Sequence, residues 1–210
     1  MTDDHVLLGK ETAKALQAVA GATSHALSLV DGMGGFFNGA IGRPFENFIG
    51  NSFADVWAQK RLLNVDALRR EAEAILKERD VDQEKLDGSI SVIEPILIGA
   101  ASESRAEMQK LWARLLANAL DPARQHDIRI EIIETLQKLN PPDALVLTKL
   151  SEKPKNFIRP YAFAQENAFE VDQAVQSFSY LERLGCLERS TIEAAFTPTS
   201  LARLLLKAVS

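Results

Sequence analysis

Three histidines, His5, His25 and His126, and one cysteine, Cys186, are the residues best able to ligate a metal or attack a substrate in this 210-residue chain. A zinc site needs several such ligands at short, regular spacing, as when HExxH sets two histidines on one helix face. Here the histidines lie far apart and Cys186 stands alone. A Ser-His-Asp triad can be assembled on paper from any such chain, and nothing singles one out. No catalytic residue, cofactor or metal ligand is therefore expected. Cys186 follows a predicted helix cap and opens a predicted strand, so it reads as a small buried hydrophobe.

Two further groups of residues could bind rather than react. Asn118 and Asp121 are polar residues set in an apolar run, LWARLLANALDP, from Leu111 to Pro122. They could form a binding pair. The preferred reading is structural: Asp121 stops a helix before Pro122, and Asn118 bonds the backbone of a neighbouring segment. Trp57 and Trp112 could stack on a ligand, but both fall on apolar stripes, which favours core packing.

Helices must position these residues. Between Glu11 and Val30, Leu16, Val19, Ala20, Thr23, Leu27 and Val30 make a narrow helical stripe. Pro44 suits a first helical position, and Phe45, Phe48, Ile49, Phe53, Val56 and Trp57 then share a face. Leu62 and Leu63 follow, with a break expected near Asn64-Val65-Asp66; Leu68, Ala72, Ile75 and Leu76 mark a second helical stretch. Asp87-Gly88 signals a turn, and Pro95 a kink or a helix start. The clearest helix spans Glu103 to Leu120, with Met108, Leu111, Trp112, Leu115, Leu116 and Ala119 inward. Another carries Ile128, Ile132, Ile133, Leu136 and Leu139, and Asn140-Pro141-Pro142 closes it.

The last seventy residues have a different layout. Asp143 to Leu150 reads as a short helix and KPKNFIRPYAF as loop with room for a short strand. Val171 to Leu184 is helical, with Val171, Val175, Phe178, Leu181 and Leu184 inward and Gly185 as a left-handed cap. CLER and AAFT suggest two strands around a turn, and Thr197-Pro198 the start of a closing helix. The expected fold is mainly α: a multi-helix domain over residues 1–140, then a small winged-helix-like domain over residues 141–210.

Bulk composition narrows the partners. A net charge of -5 argues against general nucleic-acid binding, and an acidic chain is not drawn to anionic lipid. Residues 141–210 carry eight basic and eight acidic residues, so the tail has no net attraction for phosphates. The N-terminus, MTDDHVLLGKE, lacks the basic region of a signal peptide, and the lone cysteine fits a reducing compartment. These features suggest a cytoplasmic protein.

One stretch is unusual. Residues 32–50, GMGGFFNGAIGRPFENFIG, hold six of the eleven glycines and four of the ten phenylalanines. Between Ala15 and Gly42 the one charged residue is Asp31, with His25 neutral. The glycines could permit turns and close packing while the phenylalanines fill the core. Alternatively Gly35 and Gly39, a GxxxG step, together with Phe36, Phe37 and Gly42, could serve a helix contact in or on a membrane. In the folded chain the Gly35–Gly39 face is expected to make an internal helix contact.

The sequence IEPILIGAASESRAEMQKLWARLLANALDPAR, followed by IIETLQKLNPPDALVL, resembles the bacterial abortive infection alpha (Abi-alpha) family. The family's LPLLEAA, LWANLLANAxDP and LSPLDA elements correspond to Ile93–Ala101, Leu111–Pro122 and Leu139–Ala144. Its LERLGL and LTPLG-like elements correspond to Leu181–Leu187 and Phe196–Ala202. Arg114 stands where the family often has Asn, and Thr199-Ser200 where it has Leu-Gly. The resemblance covers most of the chain and implies defence against phage, in which the infected cell stops growing or dies. It supplies no catalytic residue. The expected role is non-enzymatic, through a second copy or a partner protein, with the inner membrane as a further candidate surface; a winged-helix regulator of nucleic acid is the alternative.

Overall fold

The stripe from Met108 to Ala119 becomes the centre of the molecule. In a computed structural model, which describes residues 32–40, 58–152, 157–190 and 195–210, this stripe lies on a helix that other helices flank. The order is α1 (32–40), α2 (Ala58–Glu78), α3 (Ile90–Ala101), α4 (Ala106–Leu120), α5 (Ile130–Lys138) and α6 (Pro141–Ser151). Then come α7 (Pro160–Glu166), α8 (Val171–Arg183), a hairpin of β1 (Leu187–Arg189) and β2 (Phe196–Pro198), and α9 (Ser200–Ala208). The described chain is thus mainly helical, with one two-stranded sheet. The stretches 11–30 and 44–57, with His5, His25, Gly42 and Trp57, lie outside the described residues.

Helix α4 packs against α2, α3, α6 and α9. From Trp112 to Leu120 every residue but Arg114 is buried, because neighbours cover several faces of the helix. Asp121 ends it, as expected, with its N–H on Ala117 O and its backbone extended. The buried side chains form one contiguous cluster that includes residues on both sides of the Asn140-Pro141 step.

Several local expectations are corrected. Helix α2 runs unbroken through Asn64-Val65-Asp66. The two polar residues that suggest a break are engaged instead: Asn64 Nδ2 donates to Ala101 O at 2.8 Å, and Asp66 pairs with Arg69 and Arg70, both at 3.0 Å. Between them Val65 is fully buried. Pro95 lies inside α3 rather than at its start. The Asn140-Pro141-Pro142 run opens α6 more than it closes α5. Asn140 N–H donates to Asp143 Oδ2 at 2.9 Å, while the prolines occupy first-turn positions that need no donor. Pro160 likewise starts α7, where loop was expected.

From α8 onward the tail keeps its predicted order. Gly185 has φ +74°, and Cys186 N–H reaches Leu181 O at 2.9 Å, a left-handed cap on α8. β1 and β2 pair antiparallel, Leu187 facing Pro198, and Ile158 adds an isolated bridge to Phe196. Pro198 belongs to the strand, however. Thr199 is the cap of α9, accepting Ala202 N–H on its side chain. In α8 the inward face is Ala174, Ser177, Phe178 and Leu181; Val175 is 47% exposed. The face is turned because Phe178 packs edge-on to Phe163 at 5.5 Å and against Phe196 at 5.3 Å.

Close helix packing occurs at an unexpected glycine. A Cβ on Gly99 would sit 2.6 Å from Cη2 of Trp112, so α3 meets the indole only because Gly99 has no side chain. Gly35 and Gly39, by contrast, are exposed with nothing described within 4 Å of an added Cβ. Gly99→Ala should therefore cost roughly 1–3 kcal/mol through overpacking. Gly35→Ala, on an open helical face, should be neutral or stabilise by up to about 1 kcal/mol. Urea unfolding of the two variants measures both. A destabilised Gly35→Ala beside a neutral Gly99→Ala would reverse this assignment.

Candidate functional site

The polar residues of the Leu111–Pro122 run meet at the far end of α4. Asn118 is 1% exposed and Asp121 4%. Asn118 Nδ2 donates to Ala208 O at 2.7 Å, with Ser210 O at 3.4 Å. Its Oδ1 accepts from Arg79 Nη1 at 2.6 Å, and Arg79 Nη2 donates to Ser210 O at 3.1 Å. Asp121 Oδ1 accepts Ala123 N–H at 2.9 Å, bracing the turn after α4. The expected structural reading of this pair thus fits the geometry. Asn118 ties the end of α9 to the core, and Asp121 stops its own helix.

Arg79 completes the knot. Burial lowers its pKa, and the like charges of Arg124 and then Arg114 lower it further, against the pull of Asp121 and Glu78. Nothing in the sequence marks Arg79 out. It stands in the charged run KERD, thirty-nine residues from its Asn118 partner, and such a run reads as a solvated face. Lys207 adds a second tie from α9, reaching Asp127 Oδ2 at 2.6 Å.

At the other end of α4 a second network joins the α3–α4 loop to the start of α6. Glu103 Oε1 accepts from the N–H groups of Ser104 and Arg105, and Arg105 Nη2 donates to Oε2 at 2.6 Å. Arg105 Nη1 continues to Asn140 Oδ1 at 3.1 Å. Burial opposes ionisation of Glu103, but the hydrogen bonds from Arg105 and Ser104 outweigh it and hold the carboxyl below its usual range. A depressed folded pKa gives stability that is fully present above the unfolded value and lost as pH falls through the folded one. Wild-type melting temperature should accordingly fall as pH drops below 4.5, and Glu103→Gln should flatten that slope. Equal slopes in the two proteins would remove Glu103 from the acid response.

The other predicted residues are placed as follows. Trp112 and Leu115 are buried in the core, Leu111 is half-buried, and Pro122 is exposed. Leu111 lines an open apolar groove with Pro141, Pro142, Leu145 and Phe169. In α1, Met33, Phe36, Phe37 and Ala40 are buried, and the two phenylalanine rings meet edge-on at 5.1 Å. Gly32, Gly35 and Gly39 form its outer face. The internal contact expected of Gly35 and Gly39 is thus corrected: the larger side chains take the core, leaving the glycine face outward. Gly88 N–H donates to Ala40 O at 2.9 Å and anchors the end of α1.

Of the residues singled out above for metal binding or attack on a substrate, His126 and Cys186 lie among the described ones. His126 is exposed and 3.7 Å from Asp127. Cys186 is buried, and burial pushes its thiol up to about 11, far from a reactive thiolate. Among the described residues no three histidine, cysteine or carboxylate side chains cluster as metal ligands.

No curated protein and no solved structure matches the chain. A family match does exist, and it takes in α2 from its third residue, the whole of α4 with its Asn118–Asp121 end, and most of α9. The abortive infection alpha family matches residues 60–205, well over half of the 210 residues, and the chain belongs to that family.

Proposed function

We propose that the protein takes part in abortive infection without catalysing a reaction, arresting the infected cell through contacts with a second copy or a partner protein. Family membership over residues 60–205 carries this reading. The use of the motif's polar residues supports it. Asn118 and Asp121 bind main-chain groups and Arg79, so the motif serves the architecture rather than a substrate. The membrane is a candidate surface for the low-charge stretch that contains α1. No helix among the described residues is long and apolar enough to cross a bilayer.

The alternative rests on the tail. It takes residues 141–210 as a winged-helix-like module in which α8 would read DNA. Its exposed residues include Asp172, Gln173, Val175, Gln176 and Arg183. With two acids, Asp172 and Glu182, against one base, Arg183, on its polar side, and a balanced charge over residues 141–210, the module suits protein contact better than phosphate.

Leucine substitutions on α1 test the contact reading. A Cβ added at Gly35 or Gly39 meets nothing described within 4 Å and both positions are exposed, so Gly35→Leu and Gly39→Leu should stay soluble and keep wild-type thermal stability. If α1 presents its glycine face to a partner or to lipid, phage protection should fall sharply in both while stability holds. Full protection in both leucine variants would take α1 out of the functional surface.

A further inference from the structure

Beside the Asn118 knot, the end of α4 gathers more positive charge than its neighbours engage. Arg79 Nη1 and Arg124 Nε approach the same oxygen of Asp121, at 4.0 and 3.7 Å. Neither distance is a hydrogen bond. The other oxygen of that carboxylate is already taken by Ala123 N–H. Arg114 stands one turn before Asn118 on the same side of α4 and is exposed. Among the described residues, the side chains of Arg114 and Arg124 donate no hydrogen bond to any protein acceptor, and Arg124 is about half exposed. Glu78 is the second acid whose charge reaches Arg79, and it makes no ion pair there. Two guanidinium groups thus share one carboxylate oxygen at 4.0 Å or less, and Arg114 is close enough for its like charge to act on Arg79, in a chain whose net charge is -5. Planar guanidinium forks without acceptors match the oxygens of a phosphate, which can take two or more of them at once.

We propose that Arg79, Arg114 and Arg124 form a binding site for a phosphate-bearing ligand at the end of α4. Arg114 and Arg124 supply the open donors. Arg79 supplies charge from a fixed position, since Asn118 and Ser210 already hold it. Through that hold the site touches the end of α9, so an occupied site would stiffen the closing helix. Soluble phosphate compounds and phospholipid head groups share this chemistry. The site does not depend on the contact reading above.

The test is a calorimetric titration of the full chain with sodium pyrophosphate in chloride buffer at constant ionic strength. A second arm measures co-sedimentation with phosphatidylcholine vesicles, with and without phosphatidic acid. Saturable binding is expected in at least one arm. The double variant Arg114→Ala/Arg124→Ala, altered at two exposed or half-exposed side chains, should melt as the wild type does and bind about tenfold more weakly, or worse. Pyrophosphate binding without vesicle binding supports a soluble ligand; binding to phosphatidic acid vesicles alone supports a head group. Absence of saturable binding in both arms overturns the proposal, and so does binding that the double variant retains in full.

Discussion

Leu115→Asp should leave no folded protein. Leu115 is fully buried midway along α4, on the helix that α2, α3, α6 and α9 cover. Losing its methyl groups alone would cost about 2–5 kcal/mol. A carboxylate at that position adds several kcal/mol more, because nothing there can pair with it. Domains of this size are stable by roughly 5–15 kcal/mol in total, so the combined loss reaches the whole margin. Trp112→Asp should behave alike, since the indole is 1% exposed and fills the space that Gly99 leaves. The check is thermal unfolding by circular dichroism, with loss of the cooperative transition expected. Wild-type melting in either variant would show that α4 is not the core helix.

Asn118→Leu should weaken the protein at one place. Leucine keeps the volume but removes the donor to Ala208 O and the acceptor for Arg79 Nη1. A buried carbonyl then loses its donor, and the part-buried Arg79 guanidinium loses one of its two acceptors, a cost of about 1–3 kcal/mol. The damage should be local, because the bonds lost are those that pin the end of α9. Hydrogen exchange should therefore rise in residues 200–208 before it rises in α4, and urea unfolding should shift to lower concentration. Unchanged exchange in α9, with stability within about 0.5 kcal/mol of wild type, would show that the knot is not a tie.

Legibility of the chain follows the range of the forces involved. Helices α4, α5 and α8 and the Gly185 cap were readable because periodicity and capping are local, spanning a few residues. The break expected at Asn64-Val65-Asp66 failed because the residues that satisfy Asn64 and help fix α2 include Ala101, far along the chain. The same limit hid Arg79. Its type and setting suggested solvent, and its Asn118 partner became visible only in three dimensions. In α1 the spacing of Gly35 and Gly39 was read correctly as one face, but spacing does not say which face goes inward. The burial of Met33, Phe36 and Phe37 decided that. Val175 failed for a related reason: the aromatic packing of Phe178 with Phe163 and Phe196 set the rotation of α8. Asn118 and Asp121 were legible as structural polar residues, since a lone amide and a lone acid in an apolar helix need main-chain partners.

Abortive infection is distinguished from other phage resistance by the fate of the infected cell. The most direct measurement is therefore made on bacteria expressing the full chain, infected so that every cell receives phage, with phage yield and surviving colonies counted from the same culture. The account predicts that phage yield falls while infected cells fail to form colonies. Infected cells that stop the phage and resume growth would contradict it, and so would a full phage yield from every phage tried.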